Sequence, residues 1–155
     1  MLRIYIDMDH TFFDMAKGAA AWREFAITDV EQTWPWSMTG LFKYLPPIEG
    51  AMEFFKQFED RCELWFLTRP SINNIACYTE KAESIQRHFG TKMLERLILC
   101  PQKDLLIGDI LIDDSGKYGQ ETSKGQWWQF GEKDNENWKV ITDKLEKILA
   151  NESIV

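Results

Sequence analysis

Short apolar runs alternate along the chain with stretches in which apolar residues recur every three or four positions. Leu2 to Ile6 is a compact apolar run with β-branched and aromatic members, and it breaks off at Asp7. A run of that length bounded by polar residues reads as a buried strand. Cys62 to Leu67, Leu97 to Cys100, Ile110 to Ile112 and Trp127 to Phe130 repeat the pattern. Between them, Met52, Phe55 and Phe58 fall at helical spacing. Tyr78, Ala82, Ile85 and Phe89 form a second stripe, with Gly90 as its stop. A last helix spans about Asn135 to Leu149, with Trp138, Ile141, Leu145 and Ile148 facing inward. Strands alternating with amphipathic helices predict βαβ units around a parallel sheet, an α/β fold forming one domain over residues 1–155. Residues 13–47 break the rhythm. Trp22, Trp34, Trp36, Phe42 and Tyr44 are interrupted there by Pro35, Gly40 and Pro46-Pro47, which reads as a small helical insertion with irregular turns.

Composition narrows the partners. The 155 residues are 45% hydrophobic and 14% aromatic, enough for a core that needs no staples. The net charge of -7 and the scattering of lysines among acids, as at Glu80-Lys81, argue against polymeric nucleic acid. A small phosphate ester stays compatible, because a bound divalent cation and one or two local lysines override the overall sign. Cys62, Cys77 and Cys100 show neither a C-x-x-C pair nor zinc spacing. The first residues turn acidic too early for a signal peptide, and no apolar run approaches a membrane span. The expectation is a cytoplasmic protein with no membrane partner; the aromatic insertion suits a homodimer interface as readily as a substrate.

The reactive residues gather where strands end, and in open α/β sheets ligands bind outside the carboxyl ends of the strands. Asp7-Met8-Asp9 follows the first strand. In extended backbone, residues two apart project to one side, so both carboxylates can face one pocket. One can stay ionised as nucleophile and metal ligand while the other carries a proton. Alternatively, the aspartates cap the next helix. Asp113-Asp114 is a second acid pair suited to a hard cation such as Mg2+. Neighbours in extended chain point opposite ways, so Asp113 is the expected direct ligand and Asp114 the residue that holds a bound water or the backbone. Thr68, with the following Arg69, suits phosphate oxygens at a strand end, and Lys103 supplies charge for a phosphoryl group.

In this order, the residues resemble the four motifs of the haloacid dehalogenase-like hydrolases. Asp7-Met8-Asp9-His10-Thr11 is similar to the first, Leu67-Thr68 to the second, Lys103 to the third, and Gly108-Asp109-Ile110-Leu111-Ile112-Asp113-Asp114 to the fourth. The segments Cys77 to Lys81, His88 to Gly90, Leu97 to Cys100, Leu111 to Ser115 and Gly125 to Gly131 resemble the 5'-nucleotidase branch that includes the 5'(3')-deoxyribonucleotidases. The resemblance implies a Rossmann-like parallel sheet flanked by helices, with a small cap at the insertion. It also implies a magnesium-dependent phosphatase working through an aspartyl-phosphate. Asp7 is then the nucleophile and Asp9 the acid–base. Asp7, the Asp9 carbonyl and Asp113 hold the metal, Thr68, Arg69 and Lys103 bind phosphate, and Asp114 stands behind the metal. A phosphatase of another small ester, such as a sugar phosphate, and a catalytically silent binding domain are the other readings. Phe12, Trp34, Trp36, Phe42 and Tyr44 are candidates to face substrate, with packing of the cap as their alternative use. His10 stands where the family usually has glycine, so the turn after Asp9 is expected to take a conformation open to a side chain.

Overall fold

In the computed structural model, which describes residues 1–25 and 39–152, β1 (Arg3–Ile6) is the middle strand of a five-stranded sheet. β2 (Glu63–Thr68), β3 (Leu97–Leu99), β4 (Ile110–Asp113) and β5 (Gln126–Gln129) complete it in the order β3-β2-β1-β4-β5, every pairing parallel. The α-helices among the described residues are α1 (Met15–Phe25), α2 (Ala51–Phe58), α3 (Ala76–Phe89) and α4 (Trp138–Glu152). Each expected strand and helix is present with ends moved by a few residues, and Gly90 terminates α3 with φ 84°.

Strand alternation assigns the two faces. Ile4, Ile6, Leu64, Phe66, Ile110 and Ile112 join buried residues from all four helices in the larger core. Tyr5, Leu67 and Leu111 form a smaller cluster on the opposite face, to which no helical residue contributes among the described ones. The helices therefore flank one face. The β3–β4 and β4–β5 connections carry only the short 3-10 turns Lys103–Leu105 and Gln120–Thr122 among the described elements. Those turns sit over the sheet edge instead, and one of them delivers Lys103.

Phe12 is the hub of the larger core. It is fully buried, with Phe13, Phe55, Phe66, Phe89 and Trp138 around its ring at 5.1–6.4 Å between centroids. The expectation that Phe12 faces substrate is therefore corrected. The turn after Asp9 points this ring inward, where aromatic packing stabilises more than exposure at a cleft would. Trp138 ties α4 to the same turn, its Nε1 donating to the Thr11 carbonyl at 3.0 Å. Trp128 and Trp138 are core residues, as expected, and Trp127 is partly buried on the smaller face.

Candidate active site

The register places the strand ends side by side. Ile6 pairs with Phe66 and with Ile112, so Asp7, Thr68 and Asp113 emerge on one edge. Lys103 arrives from its 3-10 turn, fixed by its own backbone N–H on the Tyr118 carbonyl at 2.8 Å. Its side chain is nearly fully buried, and its Nζ donates to Asp7 Oδ1 at 2.6 Å and to Asp113 Oδ2. Gln120 Nε2 also donates to Asp113 Oδ2 at 3.0 Å, and the Ser115 N–H to Asp113 Oδ1 at 2.9 Å. Burial pushes the Asp113 carboxyl up to about 7, the Asp7 charge adds to it, and Lys103 and Gln120 hold it back. For Lys103, burial works against the ammonium, but the charges of Asp7 and Asp113 outweigh it and the pKa rises.

Asp7, Asp113 and Asp114 each offer an oxygen atom, all within 4.8 Å of one another. The expectation that Asp114 points away from Asp113 differs from this arrangement. β4 ends at Asp113, so the alternation of extended chain no longer governs its neighbour. Thr11 holds Asp114 in place, its hydroxyl donating to Asp114 Oδ1 at 3.2 Å and accepting from the Asp114 N–H at 3.1 Å. Burial first, and then Asp7, raise the Asp114 carboxyl. Three carboxylates against one ammonium leave excess negative charge in a donor set made only of oxygen. That set fits a hard divalent cation.

Asp9 lines the same cleft, about 290 Å3 in volume, together with Asp7, Lys103, Asp113, Asp114 and Arg69. Its Oδ2 accepts from Lys81 Nζ at 2.7 Å, while its Oδ1 is buried with no hydrogen-bond partner among the described residues. Burial raises the Asp9 carboxyl, the Lys81 charge opposes that, and Asp7 adds to it. Thr68 is fully buried under the cleft, its hydroxyl accepting from Lys81 at 2.5 Å. The Arg69 guanidinium stacks on the Tyr118 ring, 3.8 Å from its centroid, at the cleft wall.

The aromatic candidates divide. Phe42 lines the cleft, while Tyr44 is two-thirds exposed, lies on a neighbouring apolar groove and carries the Arg87 guanidinium 4.0 Å from its ring centroid. Tyr44 as a substrate-facing residue is thereby corrected: in the 3-10 turn Phe42–Tyr44, residues two apart cannot share a face. Trp34 and Trp36 lie outside the described residues. His10 lines the cleft at φ 58°. The loop takes the left-handed conformation, which glycine favours but which is also open to a side chain such as that of His.

Lys81 escaped the sequence reading, which took it as a scattered surface charge. The buried stripe of α3 runs Cys77, Lys81, Ser84 and Ile85, rotated from the expected Tyr78-Ala82-Ile85-Phe89 line, and Tyr78 is 46% exposed. A lysine four residues from both Cys77 and Ile85 was the available signal. Glu80 was missed likewise. It is 5% exposed and accepts from the Gly40 N–H at 2.5 Å and the Phe42 N–H at 3.2 Å, binding the returning end of the insertion to α3.

A nucleophile-type aspartate ending the middle strand, a second acid two residues on, and a lysine clasping it to a distal acid pair are the arrangement of the haloacid dehalogenase-like class. Residues 17–139 match the family model described as 5' nucleotidase, deoxy (pyrimidine), cytosolic type C. The chain belongs to that family. Among curated proteins, R824 of Acanthamoeba polyphaga mimivirus, provisionally named a 5'(3')-deoxyribonucleotidase, is 29% identical over 139 residues, 73% of this chain and 63% of its own length. The human cytosolic-type 5'(3')-deoxyribonucleotidase is 33% identical over 89 residues, 56% of this chain and 42% of its own. The mouse mitochondrial 5'(3')-deoxyribonucleotidase is 32% identical over 81 residues, 51% of this chain and 37% of its own. The chain thus spans less than two-thirds of each relative. No helix among the described residues is long and apolar enough to cross a membrane.

Proposed function

We propose that this protein is a magnesium-dependent phosphatase of nucleoside monophosphates, deoxynucleotides in particular, working through an aspartyl-phosphate on Asp7. The observation that carries the reading is the buried Lys103 ammonium held between Asp7 and Asp113 at the carboxyl edge of the sheet. It hydrogen-bonds Asp7 and supplies positive charge where a phosphoryl group would sit. Family membership and the relatives' names support the nucleotide.

A carboxylate oxygen of Asp7 attacks phosphorus as the ester P–O bond breaks, and the Asp9 carboxyl passes its proton to the departing oxygen. Water then attacks the phosphorus of the acyl-phosphate and yields its proton to Asp9. The P–O bond to Asp7 breaks, and inorganic phosphate leaves. Lys103 and Arg69 neutralise phosphoryl oxygens; Thr68 is fully buried, its hydroxyl bonded to Lys81, and does not line the cleft. When bound by Asp7, Asp113, Asp114 and the Asp9 carbonyl, Mg2+ supplies charge neutralisation between nucleophile and phosphate. Phe42 offers one aromatic wall for a base or sugar.

The test is phosphate release from nucleoside 5'- and 3'-monophosphates, sugar phosphates and an aryl phosphate, with magnesium or with chelator. Magnesium-dependent release favouring deoxynucleotides is expected, and Asp7→Asn should abolish it while leaving the fold intact. Preference for sugar phosphates would discard the nucleotide. No release from any of them by a folded, magnesium-loaded protein would discard the enzyme.

A further inference from the structure

Lys81 is the most deeply buried charged side chain described, at 0% exposure, and it does not line the cleft. Its ammonium has three protons and three acceptors: Asp9 Oδ2 at 2.7 Å, Thr68 Oγ1 at 2.5 Å and the Arg69 carbonyl at 2.7 Å. Asp9 and Arg69 belong to the turns that follow β1 and β2, and Thr68 is the last residue of β2. The Phe42 ring covers the ammonium, 5.2 Å from its centroid.

A buried ion pair is a poor way to stabilise a fold, since an apolar side chain of similar volume often does as well or better. The three acceptors say what the lysine does instead. A saturated ammonium has no proton left for a substrate. By donating to Asp9 Oδ2 it fixes the orientation of that carboxylate, whose Oδ1 is buried with no hydrogen-bond partner among the described residues. By donating to Thr68 Oγ1 it fills an acceptor position of that hydroxyl, whose own proton remains to be donated elsewhere.

We propose that Lys81 is a positioning residue of the phosphatase reaction, fixing the orientation of the Asp9 carboxylate at the cleft and holding the Thr68 hydroxyl beside it. This rests on the phosphatase reading above, and the test separates the two. Wild-type hydrolysis of 4-nitrophenyl phosphate with magnesium judges the phosphatase reading by itself; the behaviour of Lys81→Met judges the lysine.

The nitrophenolate leaving group departs without a proton, whereas a nucleoside does not. In Lys81→Met, nucleotide hydrolysis should fall roughly 10²–10⁴-fold in kcat, the range of general acid–base catalysis, with KM changed little. With the nitrophenyl ester, Asp7 should still be phosphorylated, because that step needs no acid, while breakdown of the acyl-phosphate still needs Asp9. A burst of about one nitrophenolate per site followed by slow turnover is therefore expected. Equal losses on both esters without a burst would overturn the proposal, as would no loss at all.

Lys81→Met alone leaves Asp9 without its buried partner, so the matched variant Asp9→Asn/Lys81→Met, which leaves no unpaired charge, guards against misfolding. If Lys81 acts through Asp9, the double variant turns over nucleotide within a few-fold of Asp9→Asn alone. A further loss of tenfold or more would show that Lys81 acts by another route and would overturn the assignment.

Discussion

Replacing Glu80 with glutamine tests how the insertion is held over the site. The two carboxylate oxygens of Glu80 accept separately, Oε1 from Gly40 and Oε2 from Phe42, at 2.5 and 3.2 Å. Glutamine keeps one acceptor oxygen and turns an NH2 toward the other backbone N–H. One bond to a charged acceptor is lost, worth about 1.5–3 kcal/mol. At 1.4 kcal/mol per factor of ten, the returning segment should open roughly 10–150 times more often. Amide hydrogen exchange reads this directly, and protection of the Gly40 and Phe42 N–H groups should fall by that factor while β1 and β4 amides change little. Because Phe42 lines the cleft, KM for nucleotide should rise more than kcat falls. The control is Glu83→Gln, which breaks the exposed Lys43–Glu83 pair (3.0 Å) across the same contact and should cost ~1 kcal/mol or less. Unchanged protection at Gly40 and Phe42 in Glu80→Gln would refute the reasoning, because the bonds would then not hold the segment.

Four further outcomes follow from the geometry. Asp113, raised to about 7 by burial and Asp7, must lose its proton to hold a cation. Magnesium binding should therefore weaken as pH falls below about 7, approaching tenfold per unit, and a calorimetric Kd that stays flat from pH 5.5 to 8 would exclude this. In the metal-free protein the sign is opposite for stability. The raised Asp113 pKa favours the folded state below the unfolded carboxylate's ordinary value, and that contribution is lost as pH rises toward 7. Phe12→Ala should destabilise by about 3–5 kcal/mol, a fall in Tm of roughly 6–20 °C, whereas a substrate-facing Phe12 would lose activity with Tm unchanged. His10→Gly relieves a non-glycine residue at φ 58°, so Tm should stay level or rise by up to about 4 °C. A clear fall would mean that His10's contacts outweigh the backbone strain.

The strands were legible because each reads as a short continuous apolar run, most fully in the buried β1 and β4, and the chemistry because Asp7, Thr68 and Asp113 lie at or just past a strand's end. Reading failed where the decisive fact was a direction in space. Phe12 and Phe42 are both buried in the main core, yet Phe42 lines the cleft as well and Phe12 does not. The α3 stripe was placed one residue out of phase, and that error hid Glu80 and Lys81, whose partners lie 12 to 72 residues away along the chain. Such pairings leave no local periodicity. Asp114 was misdirected by carrying strand alternation one residue past the strand's end.

The placement of β1 in the middle of the sheet also governs the order in which the protein can assemble. Ile4 meets Leu64 on one side and Ile110 on the other, so the second neighbour exists only after more than a hundred further residues have been made. Until then Ile4, Tyr5 and Ile6 present an apolar edge able to pair wrongly. Contacts of such long separation form slowly, since loop closure must precede their reward. Asp7 and Asp113 meet across the same pair of strands, so the phosphate site comes into being with the last long-range step. Recovery of activity after dilution from denaturant would therefore report completion of the whole sheet.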